Sequence, residues 1–309
     1  MPLSHLPRSV AAIAGVACLA LPPPVSAQQL VREGAMAKLV LDGGEDVSAW
    51  AVAEATVTAD PAHVKHGKTA LRLAIPVDHH AGQPDYPIGW PRTNRPFGEP
   101  WQQDWSDFEF FSFWIYCATS RDALPREPLG LILYTPDKPR AYNRSLTELK
   151  KDEWVHIVIP LNQIPRHDNV TRIQFYIAES RYRDGDTLDF YVDDIALTRY
   201  AEPTIDAFAV GQRAIWADAR WLPATFRMLG INAEQTAVAE FQVRRGDRIV
   251  ATATRTVARG EQRVWIDLGR RPLPAGSCEV AARLQGGDAR GWVTAPVRVV
   301  ASPWQEAGK

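Results

Sequence analysis

Tryptophan and tyrosine interleaved with arginine, glutamine and asparagine form the most chemically suggestive pattern in this chain. Aromatic rings receive the apolar C–H face of a sugar, and planar polar groups bond its hydroxyls. Trp90, Arg92 and Trp101 fall in a Pro- and Gly-rich stretch, residues 78–104, that is too long for an ordinary connection and too aromatic for disorder. Trp114, Tyr134, Gln174 and Tyr176 stand opposite the apolar stripes of alternating segments, and Arg140, Tyr142 and Asn143 follow Tyr134 in a loop. The candidate sugar contacts are therefore Trp90, Arg92, Trp101, Trp114, Tyr134, Arg140, Tyr142, Gln174 and Tyr176. Chains of this kind alternate between two sheets, so some of these residues must face the other way. Arg92, Arg140 and Arg144 hint at an acidic polysaccharide, although arginine also bonds neutral hydroxyls.

Catalysis is the competing chemistry. Glycoside hydrolysis needs two carboxylates about 5 to 10 Å apart; Asp104, Asp107 and Glu109, the dense acidic cluster near the aromatic stretch, do not fit that pattern. A polysaccharide lyase would use a Tyr or His base with an Arg near the uronate, from Tyr142 with Arg140 and Arg144, or from His79 and His80. A zinc site from His63, His66, His79 and His80 lacks a helix to hold its ligands in register. There is no phosphate-binding Gly loop, nucleophile elbow or redox Cys pair.

The elements that must position these residues are strands. Phe111, Phe113 and Ile115 alternate with Ser112, Trp114 and Tyr116, and Val155, Ile157 and Ile159 form another apolar stripe, as do Ile173, Phe175 and Ile177. Each such strand offers one side to a core and one to something else. The pattern is interrupted at Ala201-Glu202-Pro203, and a second strand array follows, with Arg245-Gly246-Asp247 in a hairpin turn. Its roughly 100 residues, with turn signals about every 8 to 12, have the spacing of an immunoglobulin-like sandwich. Trp216, Trp221, Trp265 and Trp292 there are as fit for core as for contact.

Of 309 residues, 46% are hydrophobic and 9% aromatic, enough for two cores. With 24 Pro, 20 Gly and 11 Trp against 3 Met, the balance favours short strands over helical bundles or Rossmann folds. A formal net charge of −1 excludes the electrostatic footprint of a dedicated nucleic-acid or anionic-membrane binder. Residues 1–27 read as a cleaved export signal: Arg8, an apolar run of about a dozen residues that is short of the roughly 20 needed to span a bilayer, then Val25-Ser26-Ala27. The expectation is a secreted or periplasmic protein, bacterial in its Ala-rich signal. Cys117 and Cys278 read as two buried thiols in separate domains rather than a bridge.

Four segments in order carry a resemblance: Leu41-Asp42-Gly43-Gly44-Glu45-Asp46 with Trp50; His66-Gly67-Lys68-Thr69-Ala70-Leu71-Arg72-Leu73; Glu153-Trp154-Val155-His156-Ile157; and Phe190-Tyr191-Val192-Asp193-Asp194-Ile195. Across about residues 35–200 the chain resembles jelly-roll carbohydrate-binding modules of the galactose-binding-domain-like type. The resemblance implies an all-β chain with an N-terminal jelly-roll β-sandwich, residues 28–200, and an immunoglobulin-like β-sandwich after it, residues 201–309. It assigns Trp50, Trp105 and Trp154 to packing or support. It also implies a structural calcium ion held by Glu45, the carbonyl of Lys68 and Asp193, an oxygen donor set that suits a hard cation; the alternative leaves Asp42, Asp46 and Asp194 as solvated turn residues. The function it implies is non-catalytic binding of a polysaccharide or oligosaccharide. Two sandwiches use up the chain without room for a catalytic barrel, so a glycan-degrading partner would be a separate chain. A lyase on the same jelly roll and a structural spacer in an envelope assembly are the alternatives.

Overall fold

Period-two alternation is realised as strands almost everywhere. The computed structural model describes residues 30–81, 88–138, 140–286 and 291–304, and among these the architecture is all-β, with one short helix and two 3-10 turns. No helix among the described residues is long and apolar enough to cross a membrane. The expected export signal, residues 1–27, and residues 82–87 of the aromatic stretch lie outside the described residues.

The first sandwich comprises β1 (Val31–Glu33), β2 (Met36–Asp42), β3 (Ala51–Ala53), β4 (Thr56–Asp60), β5 (Ala70–Pro76), β6 (Arg92–Pro96), β7 (Phe110–Thr119), β8 (Gly130–Tyr134), β9 (Tyr142–Ser145), β10 (Trp154–Pro160), β11 (Arg172–Tyr176) and β12 (Thr187–Tyr200). Helix α1 (Pro100–Gln103) lies between β6 and β7. One sheet runs β1-β2-β12-β5-β4, with β7 joined to β12 and β10 to β7; the other runs β3-β6-β11-β8-β9. Between them Phe111, Phe113, Ile115 and Cys117 of β7 face Leu131 and Leu133 of β8 and Ile173 and Phe175 of β11, all without solvent exposure. Each such side chain contributes about 1.5–3 kcal/mol by leaving water. Trp105 stacks on Phe111 at 5.0 Å and Trp50 on Phe175 at 6.1 Å, so both pack the core. Trp154 instead lies half-buried outside it, 5.7 Å from Tyr116.

The second sandwich comprises β13 (Thr204–Val210), β14 (Ala214–Trp216), β15 (Trp221–Leu229), β16 (Thr236–Arg245), β17 (Arg248–Ala258), β18 (Gly260–Asp267), β19 (Gly276–Leu284) and β20 (Val293–Val300). A three-stranded sheet, β13-β15-β18, covers a five-stranded one, β14-β20-β19-β16-β17, over a core that includes Phe226 and Phe241. Gly246, at φ 56°, and Asp247 make the two-residue turn joining β16 to β17, which accounts for the Arg-Gly-Asp tripeptide. Trp216, Trp221 and Trp265 are 43–50% exposed, while Trp292 sits against Arg244 and Arg283. Cys117 and Cys278 are free and buried, one in each sandwich, and burial pushes the Cys117 thiol up to about 12.

Asp107 and Glu109 of the acidic cluster near the aromatic stretch build the junction between the sandwiches. Glu109 Oε1 accepts from Arg259 Nη2 at 2.9 Å, and its Oε2 accepts from the Tyr200 amide at 3.0 Å. Asp107 accepts from the Ala233 amide at 3.1 Å, and Asp104 caps the Ser106 amide. None of the three faces the aromatic groove residues as a catalytic pair.

Candidate functional site

In β11, Ile173 and Phe175 enter the core, so Arg172, Gln174 and Tyr176 project from the opposite side of the strand. Antiparallel pairing aligns Tyr176 with Arg92 of β6 and Gly130 of β8, Gln174 with Asn94 and Ile132, and Arg172 with Pro96 and Tyr134. Asn143 of β9 lies opposite Ile132. These outward positions hold no Asp or Glu.

A layer of rings and guanidinium groups lies on this face. The Tyr176 ring lies across Gly130, where any Cβ would collide with it, and its hydroxyl donates to Asn143 Oδ1 at 3.2 Å. Trp90 meets Tyr176 edge to face at 5.7 Å. The guanidinium carbons of Arg92 and Arg140 lie 4.6 and 5.2 Å from the centre of the Trp90 ring. Farther along, Arg172 stacks on Tyr134 at 3.8 Å, and the Tyr134 hydroxyl donates to Gln174 Oε1 at 3.1 Å. That bond leaves Gln174 Nε2 buried without an acceptor, and Arg172 Nε is in the same state. Ile132 and Gln174 point outward yet are buried, so the middle of the face is covered. Arg140 and Asn143 are exposed, and Trp90, Arg92, Tyr134, Arg172 and Tyr176 are exposed in part.

Two carboxylates hold Trp90 in place. Glu54 Oε2 accepts from the Trp90 amide at 2.6 Å, and Glu179 Oε2 accepts from the Gly89 amide at 2.9 Å. Burial raises the Glu179 carboxyl above the usual range, opposed by the amides it receives. Both groups are engaged by backbone at the foot of the loop.

Six of the nine expected contacts thus gather on one face: Trp90, Arg92, Tyr134, Arg140, Gln174 and Tyr176. The other three do not. Trp114 projects from the outer side of the opposite sheet, where it stacks on His156 at 4.4 Å with Lys65 Nζ 4.0 Å from its ring centre. Trp101, on α1, packs against the core, and Tyr142 packs against it from β9. Arg144 shares the parity of Tyr142 and pairs with Glu148, so it does not join Arg140. Arg172 and Gly130 are the residues that sequence reasoning missed. Arg172 shares the parity of Gln174 and Tyr176, and a glycine inside a strand marks close approach by another group; both signals were present.

The expected calcium ligands lie around the turn before β5. A β-bulge in β12 at Asp193 and Asp194, the latter at φ 53°, re-aims the Asp193 carboxylate. Its Oδ2 accepts from the Lys65 and His66 amides at 2.7 and 2.9 Å, while Oδ1 is buried with no partner. The Glu45 carboxylate fits against Gly67, leaving no room for a Cβ there. A wholly buried carboxylate oxygen without a donor is compatible with a cation near the Lys68 backbone. Asp42 is no solvated turn residue: it is buried, accepts from Trp50 Nε1 at 3.0 Å and lies 2.7 Å from Arg95 Nε. Asp194 likewise pairs with Lys38. The four histidines weighed as zinc ligands do not converge: His63 stacks on Tyr116, His66 adjoins Asp194, His79 meets the Glu179 carbonyl and His80 adjoins Asp184.

No known protein family matches the chain, and no curated protein matches it. Among solved structures, the family 11 carbohydrate-binding module from Clostridium thermocellum, in complex with a β-1,3-1,4-mixed-linked tetrasaccharide, is 17% identical, with 52% of this chain and 94% of that one covered and a TM-score of 0.35. The Endo-D glycoside hydrolase domain from Streptococcus pneumoniae R6 is 11% identical over 81% of this chain, with a TM-score of 0.32. The β-1,2-glucanase from Parabacteroides distasonis is 14% identical over 81% of this chain, with a TM-score of 0.35. The chain spans 37% and 36% of the lengths of the last two. Similarity at this level assigns neither ligand nor reaction.

Proposed function

We propose that the first sandwich is a jelly-roll module that binds a polysaccharide or oligosaccharide on the outer face of its β3-β6-β11-β8-β9 sheet, without catalysis. The observation that carries this reading is the convergence of Trp90, Tyr134 and Tyr176 with Arg92, Arg140, Arg172 and Gln174 on one face that has no carboxylate at its outward strand positions. Part-exposed rings offer stacking surface, and the guanidinium groups of Arg92, Arg140 and Arg172, exposed at least in part, offer donors to sugar oxygens. The lyase set loses support because Tyr142 and Arg144 are turned away from Arg140, and a hydrolase reading loses it because Glu54 and Glu179 hold backbone amides.

Glu45, the Lys68 carbonyl and Asp193 would hold a calcium ion that braces the turn before β5. When bound, the ion supplies positive charge to the buried Asp193 carboxylate and takes no part in ligand chemistry. The second sandwich is of immunoglobulin type in this reading and carries the binding module as a neighbour. The protein is exported to the periplasm or beyond, where it works beside a separate glycan-degrading enzyme.

Retention on immobilised polysaccharides tests the reading. The wild-type protein is retained by at least one polymer; Trp90→Ala and Tyr176→Ala each weaken retention by about tenfold, the contribution of one stacked ring, and Trp114→Ala does not. Failure of the folded protein to bind any polymer, or release of unsaturated products from a uronate polymer, overturns it.

A further inference from the structure

We propose that the glycan held by this face is anionic, its carboxylate or sulfate groups received by Arg92, Arg140 and Arg172; the proposal rests on the glycan-binding reading above. Seven of the thirteen arginines in residues 28–200 pair with a carboxylate, Arg32 with Glu202 among them. Arg72 pairs with Asp60 and Asp189, Arg95 with Asp42, Arg121 with Asp186, Arg144 with Glu148, Arg166 with Asp137 and Asp168, and Arg181 with Glu127. Among the described residues no carboxylate pairs with Arg92, Arg140 or Arg172. Arg126 and Arg183 also lack one but lie in loops, and Arg199 lies on the opposite sheet.

The three arginines rest on aromatic rings instead, two on Trp90 and one on Tyr134. A guanidinium held over a ring keeps N–H donors at its edge for an oxyanion, and Arg92 commits Nη1 to the Trp90 carbonyl at 3.0 Å. Ring contact also fixes the side chains beforehand, so little rotamer freedom is lost on binding. Glu54 and Glu179 accept from the Trp90 and Gly89 amides, which does not cancel their charge, but among the described residues neither forms an ion pair with the three arginines. Arg92 and Arg140 share one ring, so their like charges repel, and an anionic ligand relieves that repulsion where a neutral one does not. Arg172 Nε is buried without an acceptor, as is Gln174 Nε2 beside it. Arg172 thereby takes the place that the sequence pattern gave to Arg144.

Calorimetric titration with polygalacturonate, the same polymer after chemical reduction of its carboxyl groups, a sulfated galactan and a neutral β-glucan tests the proposal. At least one anionic polymer binds about tenfold tighter than both neutral ones, with affinity that falls as salt rises. Uronate-selective or sulfate-selective binding each supports the proposal and identifies the group that is read. Arg172→Gln and Arg140→Gln each weaken anionic binding by about tenfold at an unaltered melting temperature; should either variant melt early, the carboxyl-reduced polymer still decides with the wild-type protein. Equal affinity for polygalacturonate and its reduced form, with no preference for the sulfated polymer, overturns the charge reading and leaves glycan binding standing. Binding of none of the four overturns both.

Discussion

Glu109 shows how a residue's surroundings set its role. It belongs to the acidic cluster that does not fit a catalytic pair, and it is buried at the junction against Arg259. Burial raises its carboxyl above the usual glutamate range, and Arg259 pulls it back. Because the folded-state value lies above the unfolded one, the contribution of Glu109 to stability is greatest at low pH and falls as pH rises from about 4. Arg259→Ala removes the opposing charge and deepens that fall. We expect the variant to lose about 3 kcal/mol at pH 7 and clearly less at pH 4, where Glu109 is protonated, as read by urea unfolding at both pH values. An equal loss at both would mean that the guanidinium acts by packing alone. The sequence carried the charges of Glu109 and Arg259 but not their encounter, since 150 residues separate them.

Strand parity was legible and sheet membership was not. Phe111, Phe113 and Ile115 point inward and Trp114 outward, as alternation in β7 implies. A sandwich has two outer faces, however, and period-two alternation does not say which of them a strand supplies. Trp114 went to one, and Tyr134, Gln174 and Tyr176 to the other. Tyr142 was misread because β9 is only four residues long, too short for its alternation to reveal that Tyr142 and Arg144 share the core-facing parity of Leu133 and Leu131. At the same scale, the bulge in β12 aims Asp193 at the turn before β5, where the proposed calcium ion would sit. Calcium at about a hundredfold its dissociation constant adds about 2.7 kcal/mol to the folded state. We therefore expect a chelator to lower the melting temperature and added calcium to restore it. Asp193→Asn, which keeps an oxygen for the Lys65 and His66 amides but removes the charge, abolishes that response. Identical melting with chelator and with calcium would remove the ion from the account.

At the scale of the molecule, the sequence revealed an all-β chain with two strand arrays, because apolar alternation and turn residues recur from about residue 39 onward and neither depends on distant contacts. It left three aromatic surfaces to be told apart: the Trp90–Tyr176 face, the Trp114–His156 stack on the opposite sheet, and the exposed Trp221 and Trp265 of the second sandwich. The first gathers three guanidinium groups without carboxylate partners on two rings, where the third carries one on each ring, Arg220 on Trp221 and Arg263 on Trp265. A crystal structure of the protein with a bound oligosaccharide distinguishes them most directly. The account predicts sugar density on the outer face of the β3-β6-β11-β8-β9 sheet, within contact of Trp90, Tyr134, Arg172 and Tyr176. Density confined to Trp114 and His156, or to Trp221 and Trp265, would contradict it.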